Sequence, residues 1–275
     1  MILRLIVVII LLSNAFIVPA MGQISASDWV TKSHDLFNQG KYNESLQASE
    51  KAIELDPNYA MAWNNKAAAL RNLNRTIDAL VASEKAIELD RQLALAWYNK
   101  GTALYRQGEY NESNKATKTA ILLNPNYANS WVTRAGALLE LNRTKEALQA
   151  SEKAIELDPN NAHAWNNKGW ALYKMKKYNE SLQAVNKSLE LDPTYVNAWG
   201  TKGAALSGLG GYTEAIECYN KSIEYYNKSI VRIPKSCGLI WYQKGEALNA
   251  IGRVIEADAA FAEAKKLGYK DQSQP

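Results

Sequence analysis

The stretch Ala162–Tyr195, AHAWNNKGWALYKMKKYNESLQAVNKSLELDPTY, decides the fold. Its Trp165 belongs to a series, Trp29, Trp63, Trp97, Trp131, Trp165 and Trp199, spaced 34 residues apart without slippage. Trp241 follows after 42. Four positions after each Trp stands a small residue: Ser33, Ala67, Gly101, Ala135, Gly169, Gly203 and Gly245. A fixed period of this length marks supersecondary units that bury a continuous core only by stacking on their neighbours.

Within 162–195, apolar and small residues recur at i, i+3 or i+4, and i+7 in two stretches broken by a short polar link. That period predicts two amphipathic helices per unit. The first carries Trp165, Gly169 and Leu172; the second carries Leu182, Val185, Leu189 and Leu191. Asp192-Pro193 ends the second, because the residue before a proline is driven out of the α region. Proline recurs there as Pro57, Pro125, Pro159, Pro193 and Pro234, with Arg91 in its place once. The repeats run 26–59, 60–93, 94–127, 128–161, 162–195, 196–237 and 238–271, leaving a tail at 272–275. The indole column is assigned to packing: an aromatic of that size buries about 150–250 Å², worth up to roughly 6 kcal/mol.

These columns resemble the tetratricopeptide repeat family, whose pattern is W-x2-L-G-x2-Y followed by A, a bulky residue, A and P. The resemblance covers about Ala26 to Asp271. Departures are systematic. The Leu after Trp is replaced by Lys32, Lys66, Lys100, Arg134, Lys168, Lys202 and Lys244, and the Tyr of the first helix by Leu36, Leu70, Leu104, Leu138, Leu172, Leu206 and Leu248. The bulky residue of the second helix is Ser49, Ser83, Thr117 or Ser151. This W-x-x-K-G variant is similar to arrays common in archaea. The resemblance implies an all-α fold, a right-handed superhelical solenoid of helix-turn-helix repeats, with the first helices lining a concave groove for a protein or peptide. Family groove positions, two before the Trp and one, five and eight after it, fall on Tyr98 and Tyr105 in one repeat and on His163, Asn166, Trp170 and Tyr173 in another. Asn166, Trp170 and Tyr173 share one helical face. The alternative for Trp170 is packing against the adjacent helix. A clamp for a C-terminal carboxylate is not supported, since its Lys and Asn places carry Val30 and His34, or Asn64 and Ala68. The basic column reads as packed stems with solvated or paired heads, or as a basic ladder.

Composition narrows the function. Lys+Arg 32 against Asp+Glu 28 gives +4 with both signs interspersed, so nucleic acid is not expected. The only histidines, His34 and His163, lie almost four repeats apart, and HExxH, P-loop and GxSxG motifs are absent from the sequence. No catalytic residue, metal or cofactor is therefore assigned. The expected function is a non-enzymatic binding scaffold. The alternatives are a carbohydrate-binding surface protein that uses Trp170, Tyr173, Tyr98 and Tyr105, and an envelope component that self-associates through its uncapped C-terminal repeat.

Met1 to Gly22 reads as a secretory signal peptide: Arg4, an apolar run from Ile2 to Leu12, and small residues around Ala20 and Gly22. The alternative is an uncleaved membrane anchor; either places the repeats outside the cytoplasm. Sequons at Asn43, Asn74, Asn111, Asn142, Asn179, Asn186, Asn220 and Asn227 are candidates for N-glycosylation. For Asn43, Asn111 and Asn179 the alternative is a helix N-cap. In the sixth repeat Tyr219–Ile223 is copied as Tyr226–Ile230. The second helix is expected to run to about Arg232, with Tyr225, Tyr226 and Ile230 projecting past the neighbouring helices, either as a partner ledge or as a tolerated duplication, and Pro234 to lie in the following link. Cys218 and Cys237 are read as unbridged, the first half-buried and the second in a loop.

Overall fold

The computed structural model describes residues 24–228 and 234–269. The signal-peptide reading, the tail and Ile230 lie outside the described residues. Fourteen helices make up the described chain. First helices are α1 (Ala26–Asn38), α3 (Ala60–Asn72), α5 (Ala94–Gln107), α7 (Ala128–Glu140), α9 (Ala162–Lys174), α11 (Val196–Gly208) and α13 (Pro234–Ala250). Second helices are α2 (Tyr42–Leu55), α4 (Thr76–Leu89), α6 (Tyr110–Leu123), α8 (Thr144–Leu157), α10 (Tyr178–Leu191), α12 (Tyr212–Lys228) and α14 (Val254–Lys266). Each first helix packs on its own second helix, on the second helix before it, and on the first helices of adjacent repeats. Among the described residues, second helices do not touch one another. The first helices are thus crowded on the inside of the curve, and the second helices spread on the outside. This is an all-α helical-repeat solenoid.

Two turns give the period its punctuation. The turn inside each repeat carries a left-handed residue: Gly40, Asn74, Gly108, Asn142, Lys176, Gly210 and Gly252 all have φ between 58° and 85°. Glycine and asparagine tolerate this conformation, whereas a lysine is strained there. The turn between repeats is an Asx-turn: Asp56, Asp90, Asn124, Asp158 and Asp192 each accept a hydrogen bond from the backbone N–H two residues on. Asp90 is followed by Arg91, yet it adopts the same extended backbone (φ −144°, ψ 101°) as Asp56 before proline. The Asx side chain, and not proline alone, ends these helices.

The two helices of a repeat are matched in size at pairs 16 residues apart. Ser33 faces Ser49 through a 2.7 Å hydroxyl contact. Where the first helix has glycine, the second has a larger side chain. A Cβ on Gly101 would lie 2.5 Å from Thr117, one on Gly203 2.6 Å from Tyr219, and one on Gly245 2.5 Å from Phe261. Buried serines lock the same interface: Ser45, Ser113 and Ser181 donate to the carbonyls of Ser33, Gly101 and Gly169 at 2.7–2.8 Å. Ser188 and Ser222 donate to Ala162 and Val196 at 2.8 Å.

Those five serines are also the hydroxyl residues of five sequons, so the recurrence of Asn-x-Ser has a packing cause. All eight sequon asparagines are exposed. The N-cap alternative is corrected: Asn43, Asn111 and Asn179 are the second residues of α2, α6 and α10, and the N-caps are Lys41, Glu109 and Lys177. The tyrosine before each asparagine opens the helix and packs on Phe37, Tyr105 or Tyr173, which shifts the asparagine into the first turn.

The described helices on either side of the 42-residue interval are both longer than their counterparts. Helix α12 has 17 residues against 14 in α10, and α13 has 17 against 13 in α11. Pro234 is the first residue of α13 and not a link residue, consistent with proline's fit to a helix start. Of the ledge, Tyr226 is corrected: it is buried, because the added turn keeps its inward phase, while Tyr225 is half-buried and the expected run beyond Lys228 lies outside the described residues. Cys237 lies in α13, not in a loop; both thiols are free and buried, and burial pushes Cys237 up to about 11.

At the C-terminal end, α14 carries Asp258 where the equivalent positions of α2, α4, α8, α10 and α12 carry Leu46, Leu80, Leu148, Leu182 and Ile216. Leu46 packs on the next repeat's Ala67 and Leu70. Asp258 is exposed, but so are the apolar Val254 and Ile255 of the same helix.

Two outcomes follow from this packing. Gly203→Ala is expected to lower stability by about 1–3 kcal/mol through overpacking against Tyr219. Combined with Tyr219→Ser, it should cost clearly less than the sum of the two single changes in a chemical-denaturation cycle; strict additivity would contradict the size-matching. Lys176→Gly, which relieves the left-handed strain, is expected to raise stability by about 1 kcal/mol in the same assay.

Candidate ligand groove on the inner wall

The tryptophan column fixes the angle between repeats. The indole N–H groups of Trp63, Trp97, Trp131, Trp165 and Trp199 donate to the carbonyls of residues 57, 91, 125, 159 and 193 at 2.8–2.9 Å. These rings are half-buried, so the hydrogen bond matters as much as the area. Beside them the basic column is paired. Lys66, Lys100 and Lys168 reach Glu50, Glu84 and Glu152 of the preceding second helix at 2.9–3.0 Å. Each also lies 5.6–5.9 Å from its own indole centroid. The lysine stems and heads therefore hold adjacent repeats together, and a free basic ladder is not formed at these positions.

A second ladder joins the first helices directly. Side chains two positions after the Trp reach back to the preceding first helix. Asn65 donates to the Val30 carbonyl at 3.1 Å, Asn99 to Asn64 Oδ1 at 3.0 Å, Asn167 to the Val132 carbonyl at 3.1 Å, and Thr201 to Asn166 Oδ1 at 2.9 Å. Asn166 is thus buried, 5% exposed, and committed to Thr201. As a ligand contact it is corrected: an amide in this rung faces the neighbouring helix.

The other five candidates form two groups on the inner wall. Tyr98 packs edge-on to Tyr127 with centroids 5.0 Å apart, under the Arg71 guanidinium at 5.1 Å. Tyr105 lies over Gly136 of α7, where a Cβ would stand 3.2 Å from its ring; burial pushes its phenol well above the ordinary tyrosine range. Across α7, Trp170 and Tyr173 stack with centroids 4.9 Å apart and planes 23° from parallel. Trp170 also packs against the cluster containing Leu138 and Leu139, so the adjacent-helix contact weighed from sequence is present. His163 is exposed and meets Tyr195 edge-on at 4.5 Å; Tyr195 itself is pushed up to about 12 by burial. Helices α5 and α9 are not in contact. The two groups are separated by α7, whose inner residues there are Val132, Gly136 and Leu139.

Sequence reasoning missed a further polar cluster, Gln243 and Glu246 of α13, which faces Tyr173 across the slender α11. The residue five after Trp241 is Glu246, the same register as Trp170; that equivalence was the available signal.

Comparison with known proteins agrees with this geometry. Models described as "Tetratricopeptide repeat" match residues 29–59, 48–81, 94–127, 162–195 and 196–229, and one described as "TPR repeat" matches 135–176. None of the curated proteins matches the chain. Among solved structures, a tetratricopeptide repeat protein from Parabacteroides merdae ATCC 43184 is similar, with 16% identity, TM-score 0.63, and coverage of 91% of this chain and 96% of its own. The Cut9–Hcn1 assembly of the APC/C gives TM-score 0.71 at 15% identity, over 91% of this chain and 48% of that one. YrrB, described as a TPR protein with an unusual peptide-binding site, is 25% identical, with TM-score 0.51, over 67% of this chain and 95% of its own. With the repeat models spread along the array and the same helix pairs in these structures, the chain belongs to the tetratricopeptide repeat family.

Proposed function

We propose that the protein is a non-enzymatic scaffold that holds an extended segment of a partner protein along its inner wall, outside the cytoplasm. The observation that carries this is the row of half-buried aromatic side chains on first helices, Tyr98 and Tyr105 on α5 and the stacked Trp170–Tyr173 pair on α9. Rings already held by neighbours lose little freedom on binding, which is why such residues dominate recognition of peptides. The likeness to YrrB supports a peptide as the ligand class. The peptide reading is favoured over the carbohydrate one because Trp170 and Tyr173 cover a face of each other, leaving less open ring surface for stacking on a sugar.

The first 22 residues support export, with cleavage after Ala20 or Gly22. Exposure of the sequon asparagines supports glycans there, although Asn142 accepts from Lys174 at 2.7 Å and Asn74 from Arg106 at 3.4 Å. No role in nucleic-acid binding, and no cofactor, is part of this reading. Membrane contact is confined to the N-terminal segment if it stays attached.

Trp170→Ala is expected to weaken binding of the peptides selected from a random linear display library by tenfold or more, the scale of an aromatic hot spot. Asn166→Ala is expected to lower unfolding stability by about 1 kcal/mol through its lost rung to Thr201, with a smaller change in affinity. Fluorescence anisotropy and denaturation read the two quantities. Equal affinity for wild type and Trp170→Ala would remove α9 from the binding surface.

A further inference from the structure

Between α9 and α13 the inner wall sinks into a depression of about 200 Å³. Its origin is in the sequence. At the groove positions of α11 stand Gly200, Ala204 and Ser207, so this helix contributes little bulk between its larger neighbours. The long sixth repeat adds to the effect: α13 meets α11 more sparsely than any other pair of successive first helices meet. The ladder also changes here. Gln243 stands two after Trp241, where Asn65, Asn99, Asn167 and Thr201 reach the preceding helix, yet it engages the Tyr173 phenol, two first helices back.

The walls have a definite chemical character. Tyr173 and Tyr212 present rings and phenol oxygens, Ser207 and the buried Tyr219 form the floor, and Glu246 supplies a carboxylate. No lining residue is basic. Burial first, and then Tyr178 and Glu246, push the Tyr173 phenol up; burial raises Tyr219, with Tyr173 and Glu246 adding to it. The negative charge of Glu246 is therefore felt inside the depression. Pockets that enclose a whole small ligand start at about 300 Å³, so this one suits a single side chain. A carboxylate flanked by aromatic rings favours a cation, and the exposed Ala250 gives its methylene stem an apolar side to lie on.

We propose that this depression takes one lysine or arginine side chain of the peptide bound along the groove. The proposal rests on the groove reading above and adds a position-specific charge requirement to it.

The test is selection of a random linear peptide display library on the full chain, on Glu246→Gln, and on Ala250→Phe, which plugs the exposed rim. Unchanged thermal unfolding of the variants checks the fold. The expected result is a lysine or arginine enriched at one fixed position in wild-type binders and lost in both variants, with the aromatic-dependent positions retained. A wild-type peptide with one such residue should lose about two- to fivefold in affinity on Glu246→Gln, the scale of an ion pair with an exposed carboxylate. Binders without a fixed cationic position, or a preference that survives Glu246→Gln, overturn the pocket while leaving the groove in place. Failure to enrich any peptide on wild type overturns the groove reading and the pocket with it.

Discussion

An indole N–H donating to a carbonyl six residues upstream is the contact on which the array depends. It ties the start of each first helix to the link that delivered it, so the angle at which the chain re-enters the stack is set locally, repeat by repeat. A pair of short helices cannot bury a core alone. Because every pair enters at the same angle, successive pairs share one core, and small local rotations sum to a curve. The lysine, or Arg134 at Trp131, above each indole reinforces the joint: its stem covers the ring and, in three repeats, a lysine head meets a glutamate of the preceding second helix. Such exposed pairs are individually weak, of the order of 0–1 kcal/mol, and their contribution here is to register.

With the joints fixed, variation is allowed in two places. Inside a repeat, the helices trade volume at positions 16 apart: glycine against Thr117, Tyr219 or Phe261, serine against Ser49. This exchange keeps the spacing of the pair while letting each repeat have its own core. On the inner wall, the positions one, five and eight after each tryptophan are not all spent on stacking, and there the repeats differ most: aromatic on α5 and α9, small on α11, acidic on α13. The proposed function draws on these differences, since the shared parts are the same in every unit.

The period, the helix pairs and the packing role of the tryptophans were legible from residue spacing, because a 34-residue interval leaves few foldable units and aromatic rings mark their joints. The turn chemistry was less legible. The left-handed position is glycine in some repeats but Asn74, Asn142 and Lys176 in others, and a lysine carries no sign of a positive φ. Asn166 was misplaced for a related reason: the position after the tryptophan faces the groove in Tyr98 but is drawn into a helix–helix rung where its neighbour is Thr201. Pro234 was placed in a link by analogy with its counterparts, yet proline fits a helix start equally well, and only the packing of α13 decides. Of the groove, the aromatic half was readable; the Glu246 half was hidden because its repeat is displaced by the 42-residue interval.

The account's central claim is that ligands are held by first helices, on the inside of the curve. Hydrogen–deuterium exchange of the full chain, free and saturated with a library-selected peptide, tests it most directly. The account predicts added protection along α5, α7, α9 and α13, with α4, α6 and α8 unchanged; protection confined to those second helices would contradict it.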